Sequence, residues 1–259
     1  MRIAMSKAGL RVWPLALAAM LAQSAQAREV KFLFSFALPP YVIKGEGGRP
    51  PAGFELEIVQ AALAARGHQL KPQFVAMGAM PQMLARQEAD GAQRGAPEVR
   101  EGEGFFYAAE PTVLYQDVAI TLQKNNLRIA AIADLKEKSV VGFQGASHFL
   151  GPEFSAIVKG KSDYAETSDE KRRVLQLYSN GVQVYVGDVN VYRYYRKAAA
   201  GVMEVSAPVE IHQIFKPALQ KFNNAVFRDK QLRDDFEAGL KQLKSSGQYK
   251  QIIQKYTGE

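Results

Sequence analysis

The sequence predicts an α/β chain folded as two lobes, joined by two crossings with a cleft between them. Three observations carry this. Short apolar strands alternate with amphipathic helices, the pattern of parallel sheets flanked by helices. A central stretch, residues 125–206, repeats that alternation as a unit inserted in the outer one. Two amphipathic helices close the chain and are assigned back to the outer unit. Crossings near Leu122 and Lys221 would then act as hinges. They divide the chain into lobe one, residues 28–122 and 222–259, and lobe two, residues 123–221. A cleft between lobes is a common place for a small-molecule site.

The first 27 residues read as a secretory signal peptide. Arg2, Lys7 and Arg11 precede the apolar run VWPLALAAMLA, and AQA is a small-x-small cleavage signal before Arg28. The run is short of the roughly 20 residues that span a bilayer. No cysteine stands at the site, so the expected product is a free periplasmic protein and not a lipoprotein. Cleavage removes three cations and no anion, so the net charge falls from +7 to +4. A surplus that small, without a basic run or a recognition motif, argues against nucleic acid. It suits an anionic or zwitterionic small molecule. With no cysteine there is neither a disulfide framework nor a thiolate site, and a chain 47% hydrophobic must rely on its core.

The elements follow in order. VKFLFSF, residues 30–36, is a short aromatic and β-branched strand, stopped by the double proline of ALPPYV. After the loop GEGGRPPAG, residues 53–67 form a helix with Phe54, Ile58, Ala61, Ala62 and Ala65 on one face and Gly67 as its stop. LKPQFVAM is a second strand, and MPQMLARQEAD a short helix with Met80, Met83 and Leu84 inward. The segment DGAQRGAPEVREG, residues 90–102, has no helical stripe and carries Arg94 and Arg100. Next come the aromatic FFYAAEPTVLY and the strand DVAITLQK. Residues 132–151 give a short helix, the strand SVVGFQ and a turn into another helix. In TSDEKRRVLQLYSNG, Thr167 and Glu170 have capping-box spacing and Asn180-Gly181 ends the helix. VQVYVGD is a strand running to Asp188, and VNVYRYYRKAA a helix. Residues 231–244 and 248–256 are the closing helices.

Four segments, in this order, resemble the bacterial extracellular solute-binding proteins of family 3, which serve polar amino acid ABC transporters. PPYVIKGEGGRPPAGFELEIVQAALAARG is similar to the family's Pro-Pro-aromatic turn, glycine loop and Gly-Phe-acid helix. IADLKEKSVVGFQGAS, ETSDEKRRVLQLYSNGVQVYVGD and KQLKSSGQYKQIIQKY resemble its later segments. The likeness covers essentially all of residues 28–259. It implies the type II periplasmic-binding-protein fold, two α/β lobes closing on a ligand. It implies a small-molecule ligand, an amino acid or organic acid, delivered by a monomer to an inner-membrane ABC permease.

Members hold the ligand carboxylate with an arginine on a Ser/Thr-x-Thr-x-x-Arg loop and with backbone amides. An acid after the second-lobe strand takes the amine. Here the arginine loop has no Ser or Thr at those places and is shorter by about two residues. Arg100 matches the family arginine best. Arg94 is an addition among Gly91, Ala92, Gly95 and Ala96, small residues that allow close approach of a ligand. Either guanidinium offers a fork for a carboxylate; as solvated loop charges they would instead pair with Glu98, Glu101 or Glu103. Ser147 and the amides near Ala146 open a helix and suit an anion, or Ser147 simply caps. Asp188 stands at the family acid's place and suits an ammonium, or caps the next helix. Phe36, Leu38 and Tyr41 flank the Pro-Pro turn, where family aromatics cover the ligand, with core packing as the other reading for Tyr41. Tyr107, in FFY, is cleft wall or core.

No catalytic motif, metal spacing or cofactor fingerprint emerges, and His68, His148 and His212 stand alone. The expectation is a binder, without metal or cofactor. Two alternatives remain. One is an enzyme on the same fold, like the periplasmic cyclohexadienyl dehydratases, with Asp188 or His148 as acid or base. The other is a sensor-associated or orphan binder.

Overall fold

The computed structural model describes residues 28–35, 38–45, 47–217 and 219–258. The signal-peptide reading and Phe36 lie outside the described residues.

Two five-stranded mixed sheets organise the chain. The first contains β1 (Glu29–Ser35), β2 (Gln69–Val75), β3 (Gly91–Ala92), β4 (Phe106–Tyr107) and a late strand, Val226–Phe227. The second contains β5 (Asp117–Leu122), β6 (Val140–Phe143), β7 (Tyr164–Thr167), β8 (Val184–Asp188) and β9 (Val209–His212). Numbering the late strand β10, the orders are β2-β1-β3-β10-β4 and β7-β6-β8-β5-β9. The two orders are equivalent. Each sheet has a parallel core of three strands, and one strand from beyond a crossing lies antiparallel beside it. In the first sheet that strand is β10; in the second it is β5. The fold is therefore α/β with two lobes, as the alternation predicts. The strand Asp117–Leu122, grouped with lobe one on sequence, hydrogen-bonds to β8 and β9 of the second sheet. The chain thus passes between sheets over residues 108–116 and returns over 213–225.

The first core is built on α1 (Phe54–Ala64), whose Ile58, Val59 and Ala62 are buried beneath β1. The closing helices, α7 (Lys230–Ser246) and α8 (Gln248–Thr257), pack on it through Phe236, Leu240 and Tyr256. A satellite cluster around Leu33 takes Met80 and Leu84 from α2 (Met80–Ala85). Two clusters flank the second sheet. One uses Phe154 of α4 (Pro152–Val158), which follows the single turn α3 (Ala146–Phe149). The other uses Val174 and Leu177 of α5 (Glu170–Tyr178) and Tyr192 of α6 (Val189–Ala199).

The cap of α5 differs from the Thr167–Glu170 box. Asp169 is the N-cap and its carboxylate accepts Arg172 N at 2.9 Å. Thr167 is the last residue of β7, and its hydroxyl accepts Asp169 N instead. Asp outranks Thr as a cap, so the helix starts at the better one. Among the described residues, no helix is long and apolar enough to cross a membrane.

Candidate functional site

Between the Pro-Pro turn, the first crossing and the second sheet, a cavity of about 220 Å³ is lined by Leu38, Tyr115, Asp117, Phe143, Arg173 and Asp188, among others. Tyr115 comes from the first crossing, and the β5–β8 pair supplies the two aspartates. In that pair Asp117 is directly opposite Asp188. Opposed residues of an antiparallel pair share a face, so both carboxylates look the same way.

Tyr41 is fully buried and stacks on Tyr115, with ring centroids 4.2 Å apart and planes 20° apart. Its hydroxyl donates to Asp188 Oδ2 at 2.7 Å, where Gln116 N also donates at 2.9 Å. Asp188 Oδ1 accepts Asn190 N at 2.9 Å and Val191 N at 3.0 Å, which makes it the N-cap of α6. Four donors fill the roughly four acceptor positions of a carboxylate. Burial pushes the Asp188 carboxyl up, against the pull of those donors.

On the other face of this cluster, Tyr115 donates to Glu55 Oε2 at 2.7 Å. Glu55 is buried, and desolvation raises it to about 7 despite the Tyr115 hydrogen bond and nearby Arg94. The Arg94 guanidinium lies over the Tyr115 ring, its Cζ 5.2 Å from the centroid. Its only hydrogen-bond contact among the described residues is a weak one to Met77 Sδ at 4.0 Å, and its buried Nε has none.

Tyr107 is buried beneath the arginine loop. Its hydroxyl donates to Val99 O at 2.8 Å and reaches Ala96 O at 3.4 Å. A Cβ on Gly95 would stand 1.9 Å from that hydroxyl, so the loop closes over Tyr107 only with glycine there. Arg100 points away. Its side chain is 73% exposed and lies 3.7 Å from Glu103. The structure brings Arg94, Tyr41, Leu38 and Asp188 together, with Tyr107 as their support. Arg100 is not among them.

Ser147 and Ala146 sit on α3 with a carboxylate already in place. Glu166, on β7, accepts Gly145 N at 2.7 Å, Ser147 N at 2.8 Å and the Tyr164 hydroxyl at 2.6 Å. Burial raises Glu166, but hydrogen bonds from Tyr164, Ser147 and Gly145 outweigh it and hold the group at about 2. His148 is exposed beside Phe149. His68 meets Asp235 at 3.1 Å and His212 meets Thr121 at 3.0 Å, both buried outside the cavity.

The sequence reading did not single out Glu55, Tyr115, Asp117, Glu166 or Arg173. A polar pair opening an apolar strand, as in YQDVAITL, was the available signal for Tyr115 and Asp117. Arg173 lies mid-helix, where charge suggests a solvated face. Instead it is buried, donates to Val186 O at 2.8 Å, pairs with Glu170 and stacks on Tyr185 at 4.6 Å. Gly187 makes room for it, since a Cβ there would stand 2.6 Å from its Nη1. Among the described residues, no group of three acidic or imidazole side chains is placed to hold a metal ion.

Comparisons agree with this architecture. The L-cystine solute receptor of Neisseria gonorrhoeae, in its unliganded open conformation, superposes with a TM-score of 0.67 at 15% identity, over 92% of this chain and 96% of that one. A polar amino acid ABC uptake substrate-binding protein of Streptococcus thermophilus gives 0.68 at 17% identity, over 89% and 86%. The second substrate-binding domain of GlnP from Lactococcus lactis, in its open conformation, gives 0.64 at 20% identity, over 89% and 96%. At these identities the likeness speaks for the fold. A search of curated proteins gives no match. The model for bacterial extracellular solute-binding proteins, family 3, matches residues 30–259, and the chain belongs to that family.

Proposed function

We propose that the chain is a periplasmic solute-binding protein that captures a small polar zwitterion or anion by hinge closure and presents it to an ABC permease. Residues 1–27 are its cleaved signal. Family membership supports the class, and the similar structures are described as receptors and uptake proteins for amino acids. The single observation that carries the site is Arg94. A guanidinium held over Tyr115 with a buried, unpartnered Nε is an incomplete hydrogen-bonding group at the cleft. A carboxylate completes it through a charge-assisted pair. Segments 108–116 and 213–225 are the hinges in this reading, so closure swings β6 and α3 toward Arg94. The family is described as solute-binding proteins, which supports a binder over an enzyme; turnover of a candidate substrate by the purified chain would overturn that choice.

The experiment is a screen of amino acids, dicarboxylates and polyamines by melting temperature and scattering radius. A ligand at 100 times its dissociation constant stabilises the native state by about 2.7 kcal/mol. Closure also compacts the protein. A screen that moves neither quantity counts against binding of those classes.

A further inference from the structure

We propose that Asp117, and not Asp188, receives the cationic group of the solute, so that the chain selects ligands carrying an amine. This rests on the solute-binding reading above and adds a residue and a ligand chemistry to it.

Asp188 has no capacity left. Tyr41, Gln116, Asn190 and Val191 occupy both its oxygens. An ammonium there would have to displace the cap of α6 or the Tyr41 hydroxyl. Asp117 is the opposite case. Its carboxylate lines the cavity, and among the described residues no donor lies within hydrogen-bonding distance and no cation within ion-pair distance. The nearby cation is Arg173, whose Nη1 donates to Val186 O and which pairs with Glu170 and stacks on Tyr185, while its buried Nε is unpartnered. Asp117 therefore stands opposite Asp188 across the strand pair, with Arg173 near enough to pull on it but not paired with it. Two like charges directly opposed on one sheet face destabilise the pair until a cation arrives.

The walls fit the same guest. Tyr115 and Phe143 give the cavity aromatic walls. At about 220 Å³ the space falls below the roughly 300–1,000 Å³ of drug-sized sites and suits a small solute. The unpartnered Nε of Arg94 lies beyond Tyr115 on the first lobe, and the Asp117 carboxylate lies on the second, beside Arg173. A zwitterion crossing the Tyr115 ring would satisfy both. Burial and Asp188 together push Asp117 up to about 6, against the pull of Arg173, as expected for a carboxyl awaiting its counter-ion.

The test titrates wild type, Asp117→Asn and Asp188→Asn with the common L-amino acids and with the same acids lacking the amine. The expected result is that at least one amino acid binds wild type, its amine-free counterpart does not, and Asp117→Asn weakens it about 30-fold or more. Melting of empty Asp117→Asn is expected at or above wild type, since no hydrogen bond is lost and a like-charge contact is relieved. Asp188→Asn is expected to melt lower. Amino acid binding unchanged in Asp117→Asn overturns the assignment. So does a panel in which only amine-free acids bind, which leaves the solute-binding reading standing. A panel in which nothing binds removes both.

Discussion

Tyr41 and Asp188, 147 positions apart in sequence, are joined by a 2.7 Å hydrogen bond that ties the Pro-Pro turn of the first lobe to the helix cap of the second. Asn190 adds a 3.2 Å contact to the same hydroxyl. Asp188 is thus both a cap and a clasp between lobes. Removing the clasp alone, by Tyr41→Phe, is expected to lower stability by about 1.5–3 kcal/mol, the range for a hydrogen bond to a charged group. Asp188→Ala loses the cap as well, worth about 1 kcal/mol more. Urea unfolding of both variants checks the order, and Asp188→Ala no less stable than Tyr41→Phe would contradict it.

Glu55 sets a pH dependence. Its folded value of about 7 lies above the ordinary 4.5, so between those pH values the native state binds more protons than the unfolded one. Stability then falls as pH rises from about 4.5 to 7. Asp117, raised from 3.8 to about 6, acts in the same direction over a lower window. Glu55→Gln is expected to flatten the slope in the upper window. Unfolding free energies of wild type and variant at pH 5 and pH 7.5 decide it, and an unchanged slope would place the linkage elsewhere.

Glu166 works with the opposite sign. Its folded value of about 2 lies below 4.5, so its contribution is present above pH 4.5 and disappears as pH falls through about 2. Glu166→Gln is expected to be less stable than wild type at pH 7, with the gap closing in acid. Because the group is partly solvated, the effect is modest. Paired acid titrations followed by circular dichroism measure the gap.

Gly95→Ala tests the support beneath Arg94. A methyl 1.9 Å from the Tyr107 hydroxyl must displace that ring or the loop. Overpacking of this kind costs about 1–3 kcal/mol. The displaced loop should also weaken ligand binding, and Tyr107→Phe in the same background should recover part of the stability. No recovery would mean that the clash is relieved elsewhere.

The legibility of these parts in the sequence follows their physics. The long helices were readable because periodicity and caps are local: α1, α6, α7 and α8 lie where the apolar stripes put them. β7 and β9 are four-residue edge strands whose burial is mixed, so no alternation announced them. β5 is an apolar strand whose sheet depends on pairing with β8, 65 residues or more away, which periodicity cannot encode. The site shows the same division. Tyr41 and Asp188 sit in segments with recognisable neighbours. The seat of Glu166 under Gly145 depends on β6–β7 register, and the burial of Arg173 on a glycine in another strand. Neither leaves a local pattern.

The most direct measurement compares Arg94→Lys with Arg100→Lys, titrated with a solute that co-purifies with wild type and is identified by native mass spectrometry. A lysine cannot reproduce the planar fork that a carboxylate needs. Arg94→Lys is therefore expected to lose affinity tenfold or more, about 1.4 kcal/mol, while the empty protein melts nearly as wild type does. Arg100→Lys, exposed beside Glu103, is expected to bind normally. Normal binding by Arg94→Lys, or a loss that follows Arg100 instead, would contradict the account.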